Sequence, residues 1–253
     1  MASHRTHTFR QTIAIAGLTA LLALLFVGTA VLIGGNSRLR ADEYVGIEVV
    51  PVQADAPVMT TPTGPVKADP AWADRVAAHT DIGQIAALAY GTASLRLAAV
   101  HPGCKLGWST LAGIGSIESG HGTHDGATLE PDGRTSHPIL GPALDGSGHT
   151  AAIPSDSETV TWHGDPNWDH AVGPMQFIPS TWKKWGADAS GDGVADPNNI
   201  ADAAYTAGLY LCASGADLMT ASGWTRAVFS YNHSDDYVRS VLSQANAYVA
   251  AVR

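Results

Sequence analysis

Residues 113–122 read GIGSIESGHG, with one carboxylate, Glu118, set among glycines and apolar residues. If the segment from about 110 to 119 is helical, Leu111 and Ile114 precede Glu118 by seven and four residues. All three then share one face, and the carboxylate projects with the apolar stripe. Gly120 and Gly122 end the helix, which sets Glu118 in its last turn, near the negative end of the dipole. Partial desolvation and the dipole both disfavour the anion and raise its pKa. A carboxylic acid still protonated near neutrality is what a general acid requires. The plainer alternative is a helix-end glutamate making a local hydrogen bond. Gly113 and Gly115, one turn above, leave room for close backbone packing or for a ligand.

Around this stretch the pattern is helical. DIGQIAALAYGTASLRLAAV (81–100) places Ile82, Ile85, Ala86, Leu88, Ala89, Leu95, Leu97 and Ala98 at roughly helical spacing. Further helices are predicted at 108–119, after Pro179, at about 200–213, at 222–231 and at 235–251. Ser234 followed by Asp235 and Asp236 reads as an N-cap with acids on the positive end of the last helix. Sustained period-two alternation is absent, so the domain is expected to be mainly α. Residues 120–170, rich in Gly, Pro, Asp and His, read as one long loop, and loops of that length are often functional.

The chain has 253 residues, 14 basic and 23 acidic, for a net charge of −9, with 45% hydrophobic residues. That balance argues against a nucleic-acid partner, which would want a basic face. An uncharged polymer such as a carbohydrate is compatible with it. No charge occurs between Arg10 and Arg38, and residues 13–35 are almost wholly apolar, enough to cross a bilayer. A cleaved signal peptide is the competing reading. The expected organisation is a cytoplasmic tail at 1–11, a membrane anchor at 12–35, a tether at 36–75 and a folded domain at 76–253. Pro51, Pro57, Pro62, Pro65 and Pro70 make the tether extended. The two cysteines, Cys104 and Cys212, both follow the anchor, and a lone pair in an exported chain reads as a disulfide rather than a metal site. Two unrelated buried thiols are the alternative. The C-terminal domain is therefore expected outside the cell membrane, held by a single pass, or secreted if the apolar segment is cleaved.

Other catalytic starting points are missing: there is no G-x-S-x-G elbow and no H-E-x-x-H. His121, His124 and Asp125 could bind a metal, but a Gly-rich polar loop explains them as well. Trp182 and Trp185 stand at i, i+3, either as core or lining a sugar groove. The segment DASGDGVADPNNIAD (188–202) is sharper. Asp188, Ser190 and Asp192 alternate, Gly193 permits a tight turn and the Val194 carbonyl follows, as in the first half of an EF-hand loop. The twelfth position is Asn199, so an expanded loop would close with Asp202, with Asp196 as a lesser candidate. The expected ion is a structural Ca²⁺; a plain Asp/Gly turn is the alternative.

In this order GIGSIESGHG, AVGPMQFIPSTWKKWG (171–186) and AVFSYNHSDDYV (227–238) resemble the motifs of lytic murein transglycosylases. The closer resemblance is to the membrane-bound B type, whose lysozyme-like (goose-type) domain carries an EF-hand-like calcium loop after the Gln motif. It covers about 80–253; the anchor and tether resemble those of actinobacterial members. The resemblance implies Glu118 as sole catalytic acid/base and Gln176 as a sugar contact. It places Tyr231 and Asn232 in the third motif and Tyr210 and Tyr237 as further cleft tyrosines. Asp188, Ser190, Asp192, the Val194 carbonyl and Asp202 match the calcium loop. The implied partner is the glycan strand of peptidoglycan. The implied activity is non-hydrolytic cleavage of the MurNAc-β-1,4-GlcNAc bond, leaving 1,6-anhydroMurNAc ends during cell-wall remodelling. A hydrolytic muramidase of the same fold and a silent wall-binding scaffold are the rivals. Residue 230 is Ser where Ala is common in the family, and the 120–170 loop matches no motif.

Overall fold

The structure, a computed structural model, describes residues 66–147 and 151–253. The expected tail, membrane anchor and most of the tether lie outside the described residues. Among the described residues no helix is long and apolar enough to cross a membrane. The elements are α1 (Pro70–His79), α2 (Gln84–Val100), α3 (Trp108–Ser119), β1 (Leu140–Ala143), α4 (Val160–His163), β2 (His170–Val172), α5 (Pro179–Trp185), α6 (Ile200–Gly215), α7 (Ala221–Tyr231) and α8 (Asp235–Ala251). The mainly helical class is as expected. Residues 70–75, assigned to the tether on their proline pattern, are instead the first turns of α1. Asp69 caps that helix by accepting from the Ala71 amide, and Pro70 takes the first position, where its missing N–H costs nothing.

The core is built where α2, α3 and α6 meet. These helices carry small and apolar residues nearly all round, as buried helices do. Ala86, Ala87, Ala93 and Leu97 of α2 are buried together with Leu111, Ala112 and Ile114 of α3 and Ala203, Ala204, Ala207 and Leu211 of α6. Small residues set the spacing: a Cβ at Gly91 would stand only 2.6 Å from the Trp72 indole of α1. Trp72 meets Trp108 edge-on with ring centroids 5.2 Å apart, and Trp224 of α7 donates to Thr110 Oγ1 at 3.0 Å. Ser234 caps α8 by accepting from the Tyr237 amide, as its sequence predicts.

The 120–170 region is more ordered than a single loop. β1 and β2 pair antiparallel, Leu140 opposite Val172 and Ala143 opposite His170. Strands of four and three residues are too short for alternation to show in the sequence. Histidines and aspartates tie the excursion between them. His163 Nε2 donates to Asp169 Oδ1 at 3.2 Å, both residues being buried, while the Asp165 amide donates to His163 Nδ1. His170 reaches Gly141 O at 2.7 Å with Nδ1 and Asp165 Oδ2 at 3.1 Å with Nε2. The strand pair thus delivers residues 173–176 at a defined place: the Gly173 amide donates to Ile139 O.

Cys104 and Cys212 form the expected disulfide, across a sequence separation of 108 residues. It joins the segment before α3 to the last turns of α6. Closing so long a loop restricts the unfolded chain by up to about 5 kcal/mol. Reduction, or replacement of both cysteines by serine, is expected to lower stability by roughly 2–5 kcal/mol in a denaturant titration; an unchanged midpoint would show that the cross-link adds nothing.

Candidate active site

Glu118 sits in the last turn of α3, which Gly120 ends in the left-handed conformation (φ 58°). The carboxylate is half-buried beside Leu111 and Ile114, which are wholly buried. The apolar face expected for it is therefore real. Its nearest polar partner comes from far along the chain: Tyr237 Oη of α8 donates to Glu118 Oε1 at 2.5 Å. Burial pushes the Glu118 carboxyl up to about 7, and the Tyr237 hydrogen bond acts in the opposite direction. Burial thus carries the shift that the sequence led us to divide between burial and the helix dipole. The Tyr237 hydroxyl is raised well above its ordinary value, by its own burial first and then by the Glu118 charge. It stays a protonated donor.

The flanking glycines serve packing. A Cβ at Gly113 would lie 2.8 Å from the Val241 carbonyl of α8, and one at Gly115 would overlap the Tyr90 hydroxyl. Of the two uses left open for these positions, close approach of neighbouring elements is the one realised.

Glu118 opens onto a cleft that is lined also by Gln176, Phe177, Ile178, Thr181, Tyr210, Ser230, Tyr231, Asn232 and His233. Among the described residues lining it, Glu118 is the one carboxylate. Gln176 adopts a left-handed backbone (φ 49°), and its Nε2 donates to Gly173 O at 2.9 Å and Ile139 O at 3.1 Å. Its amide group is thereby tied to the β1 end of the long excursion. Tyr231 Oη donates to Met175 O at 2.8 Å, and Tyr210 Oη to Ser230 O at 2.8 Å. The two rings stand edge-to-face at 5.9 Å. Asn232 forms the C-cap of α7. Five of the six expected glycan-site residues therefore line one cleft, and the sixth, Tyr237, holds its carboxylate.

Three residues of the site were not picked out in the sequence. Ser119 donates to Pro174 O at 2.6 Å and accepts from the Gly122 amide, tying the Glu118 turn to the Gln176 segment. Thr181 and His233 line the cleft, and His233 directly follows the Tyr-Asn pair, the one signal that pointed to it. His121 is buried between Tyr90 and Tyr248 rather than grouped with His124 and Asp125. Trp182 is buried core; Trp185 is half-buried, edge-on to Tyr210.

The 188–202 segment forms a turn whose carboxylates face inward onto amides. Asp188 accepts from the amides of Gly191 and Gly193, and Asp192 Oδ1 from that of Val194. Asp202, wholly buried, accepts from the amides of Ala189, Ser190 and Asp196. Burial moves its carboxyl upward against those hydrogen bonds. Arg134 reaches in from the preceding excursion, 3.0 Å from Asp192 Oδ2 and 3.4 Å from Asp196 Oδ2. Among the described residues no three His, Cys, Asp or Glu side chains converge as a metal site. The expected set Asp188, Ser190, Asp192, Val194 and Asp202 thus shares this one turn, with backbone amides and the Arg134 guanidinium on its carboxylate oxygens. Asn199, at the twelfth position, caps α6 through Oδ1 and donates from Nδ2 to Asp132 O.

Residues 161–228 match the Transglycosylase SLT domain family. The matched segment runs from α4 into α7 and contains Gln176, Tyr210 and the aspartate turn. The enzyme class read from the sequence, a peptidoglycan lytic transglycosylase, is the one this match supports. No curated protein matches the sequence. Among solved structures, the Escherichia coli lytic transglycosylase SLT35 in complex with bulgecin A is similar with a TM-score of 0.45 and 15% identity, over 72% of this chain and 79% of that one. SLT35 in complex with calcium gives 0.45 and 15%, over 76% and 81%. SltB3 from Pseudomonas aeruginosa, in complex with NAG-anhNAM-pentapeptide, gives 0.42 and 17%, over 76% and 70%. Likeness at this level carries no functional weight, so the chemistry rests on the site's own geometry.

The raised pKa of Glu118 has a stability consequence with a definite sign. The unfolded glutamate ionises near 4.5 and the folded one near 7, so folding takes up a proton between those values. Stability therefore falls as pH rises through that window. Glu118→Gln is expected to melt on the order of 5 °C higher than the parent at pH 8, with the difference vanishing near pH 4. A pH-independent difference in scanning calorimetry would refute the buried-acid assignment.

Proposed function

We propose that this protein is a peptidoglycan lytic transglycosylase that cleaves the MurNAc-β-1,4-GlcNAc bond without water. The observation that carries this reading is the lone, half-buried Glu118, held protonated to about pH 7, in a cleft whose described lining has no second carboxylate. A two-carboxylate glycosidase needs a partner acid across the scissile bond as nucleophile or base. With one carboxylate, the substrate must supply what the second would have done.

In the proposed reaction Glu118 gives its proton to the glycosidic oxygen, and the bond from that oxygen to the MurNAc anomeric carbon breaks. The substrate's own N-acetyl oxygen stabilises the positive anomeric carbon, as in substrate-assisted glycosidases. Glu118, now an anion, takes the proton of the MurNAc C6 hydroxyl, and that oxygen bonds to the anomeric carbon. The 1,6-anhydro ring closes, and the carboxyl group ends as it began. Tyr237 steadies the anion between the two transfers by its hydrogen bond. Gln176, Tyr231, Asn232 and Tyr210 orient the sugar rather than move protons. Placement of the domain on the outer side of the cell membrane, anchored through residues 12–35, belongs to the same proposal. The disulfide supports it, because such bonds persist in oxidising compartments.

A structural calcium ion on the 188–202 turn is part of the proposal too. The oxygen donors of Asp188, Ser190, Asp192, Val194 and Asp202 suit a hard cation. Gly193, at φ 91°, provides the turn such a loop needs. Bound there, the ion would stiffen the connection between α5 and α6 and would compete with Arg134 for Asp192. Added Ca²⁺ is expected to raise the melting temperature of the parent and not of Asp192→Ala; a parent that melts identically in Ca²⁺ and in chelator would end this part.

Mass spectrometry of products from purified peptidoglycan tests the reaction. Anhydro-muropeptides, lighter by one water than their hydrolysed counterparts, are expected, and reducing ends would show a muramidase instead. Glu118→Gln is expected to abolish cleavage while still binding glycan strands, and full activity in that variant would overturn the assignment. With the parent, kcat/KM is expected to fall as pH rises through about 7, where the acid loses its proton.

A further inference from the structure

Three residues after the proposed acid, the chain buries a histidine that none of the cleft contacts uses. His121 is 2% exposed. Its backbone lies in the left-handed region (φ 63°), which costs energy for a residue with a Cβ. The His121 amide donates to Gly115 O at 2.9 Å, closing the end of α3. Its ring is held on both sides: Nδ1 lies 3.1 Å from Tyr90 Oη of α2, and Nε2 lies 2.8 Å from Tyr248 Oη of α8. Gln244 Nε2 donates to the same Tyr248 hydroxyl at 2.8 Å. Burial drives the imidazole pKa down to about 4, with the charge of Asp81 acting the other way, so the ring is neutral at working pH. A neutral ring has one donor and one acceptor nitrogen, and two tyrosine hydroxyls match that pair.

The location of the pair gives it meaning. Tyr237 and Tyr248 stand eleven residues apart on α8, about three turns, and so share one face. The first donates to Glu118 and the second meets His121. Between them the Val241 carbonyl lies against Gly113. Helix α8 therefore grips the end of α3 at three places, and His121 is one of them. Tyr90 fills the space left by the missing side chain of Gly115, which makes that hydroxyl a fixed stop.

We infer that His121 is a positioning residue of the glycan-cleaving site: through Tyr248 and Tyr90 it sets the register of α8 on α3 and so holds Tyr237 on Glu118. The inference rests on Glu118 being the acid, and it concerns what aligns that acid. The groups facing Glu118 are Tyr237 of α8, Tyr231 of α7 and the cleft-lining His233. Those facing His121 are Tyr90 of α2, Tyr248 of α8 and Asp81, whose carboxylate lies 3.8 Å from Nε2. Tyr237 and Tyr231 are both raised well above the ordinary tyrosine value and keep their protons, so a shift of the Tyr237 contact reads out on the glutamate.

Since the Tyr237 hydrogen bond favours the carboxylate, loosening it moves the alkaline limb of kcat/KM to higher pH. Tyr248→Phe and His121→Phe are both expected to lower kcat roughly 10–100-fold with KM little changed. Both are expected to move that limb upward by roughly half a pH unit, in the same direction as Tyr237→Phe. His121→Gln, which keeps a donor and an acceptor, should restore part of kcat and return the limb toward the parental pH. In the Tyr237→Phe, Tyr248→Phe double variant the limb should move no further than with Tyr237→Phe alone, as coupled sites behave. Tyr248→Phe is the mildest change and keeps the ring in place should His121→Phe fail to fold. A limb that stays at the parental pH in a folded Tyr248→Phe protein would overturn the inference while leaving Glu118 as the acid. Undiminished cleavage by Glu118→Gln would instead remove the reading beneath it.

Discussion

The structure depends on removing one carboxylate from water without cancelling its function. Glu118 is carried on the apolar face of α3, and that face is buried because Leu111 and Ile114 belong to the core formed with α2 and α6. Core packing is thus the source of the acid strength: the contacts that stabilise the helix also hold the carboxyl protonated to about pH 7. A group desolvated this way costs stability whenever it ionises. The protein offsets part of that cost with the Tyr237 donor and with the α3–α8 packing that brings it within 2.5 Å.

Around that constraint the rest of the molecule acts as a frame. Ser119 joins the acid's own turn to the Gln176 segment, and the short β1–β2 pair delivers that segment from the long excursion. Tyr231 donates to the Met175 carbonyl, so a hydrogen bond joins the end of α7 to the 173–176 stretch. The disulfide ties the segment before α3 to the end of α6 and keeps the two sides of the core together in the oxidising surroundings proposed for it. The aspartate turn fixes the entry to α6 with amide hydrogen bonds, to which Arg134 contributes a cation from a distant part of the chain.

Some of this was legible in the residues. The 3.6-residue spacing of Leu111, Ile114 and Glu118, the glycine stop at 120 and the Ser234 cap are local signals, and α3 and α8 match them. The cysteine pair was readable because two cysteines leave one intramolecular pairing. Other elements were not legible, for physical reasons. β1 and β2 are too short to show alternation, and Pro70 suggested a tether although proline is tolerated at the start of a helix. The aspartate turn reads as a calcium loop from its donors alone. Arg134, 58 residues before Asp192 in the chain, has no signal linking it to those donors.

The sequence by itself determined the helical class, the disulfide and the one carboxylate on an apolar face, because helix periodicity, capping and cysteine count act over a few residues or by simple enumeration. Only the tertiary structure decided that Tyr237, 119 residues along the chain, donates to Glu118. It also decided that Gly113 and Gly115 serve the approach of Val241 and Tyr90, and that His121 is buried between two tyrosines rather than exposed in a polar loop. These are contacts between elements far apart in the chain, set by how three helices cross, and no local pattern encodes the angle at which they do so.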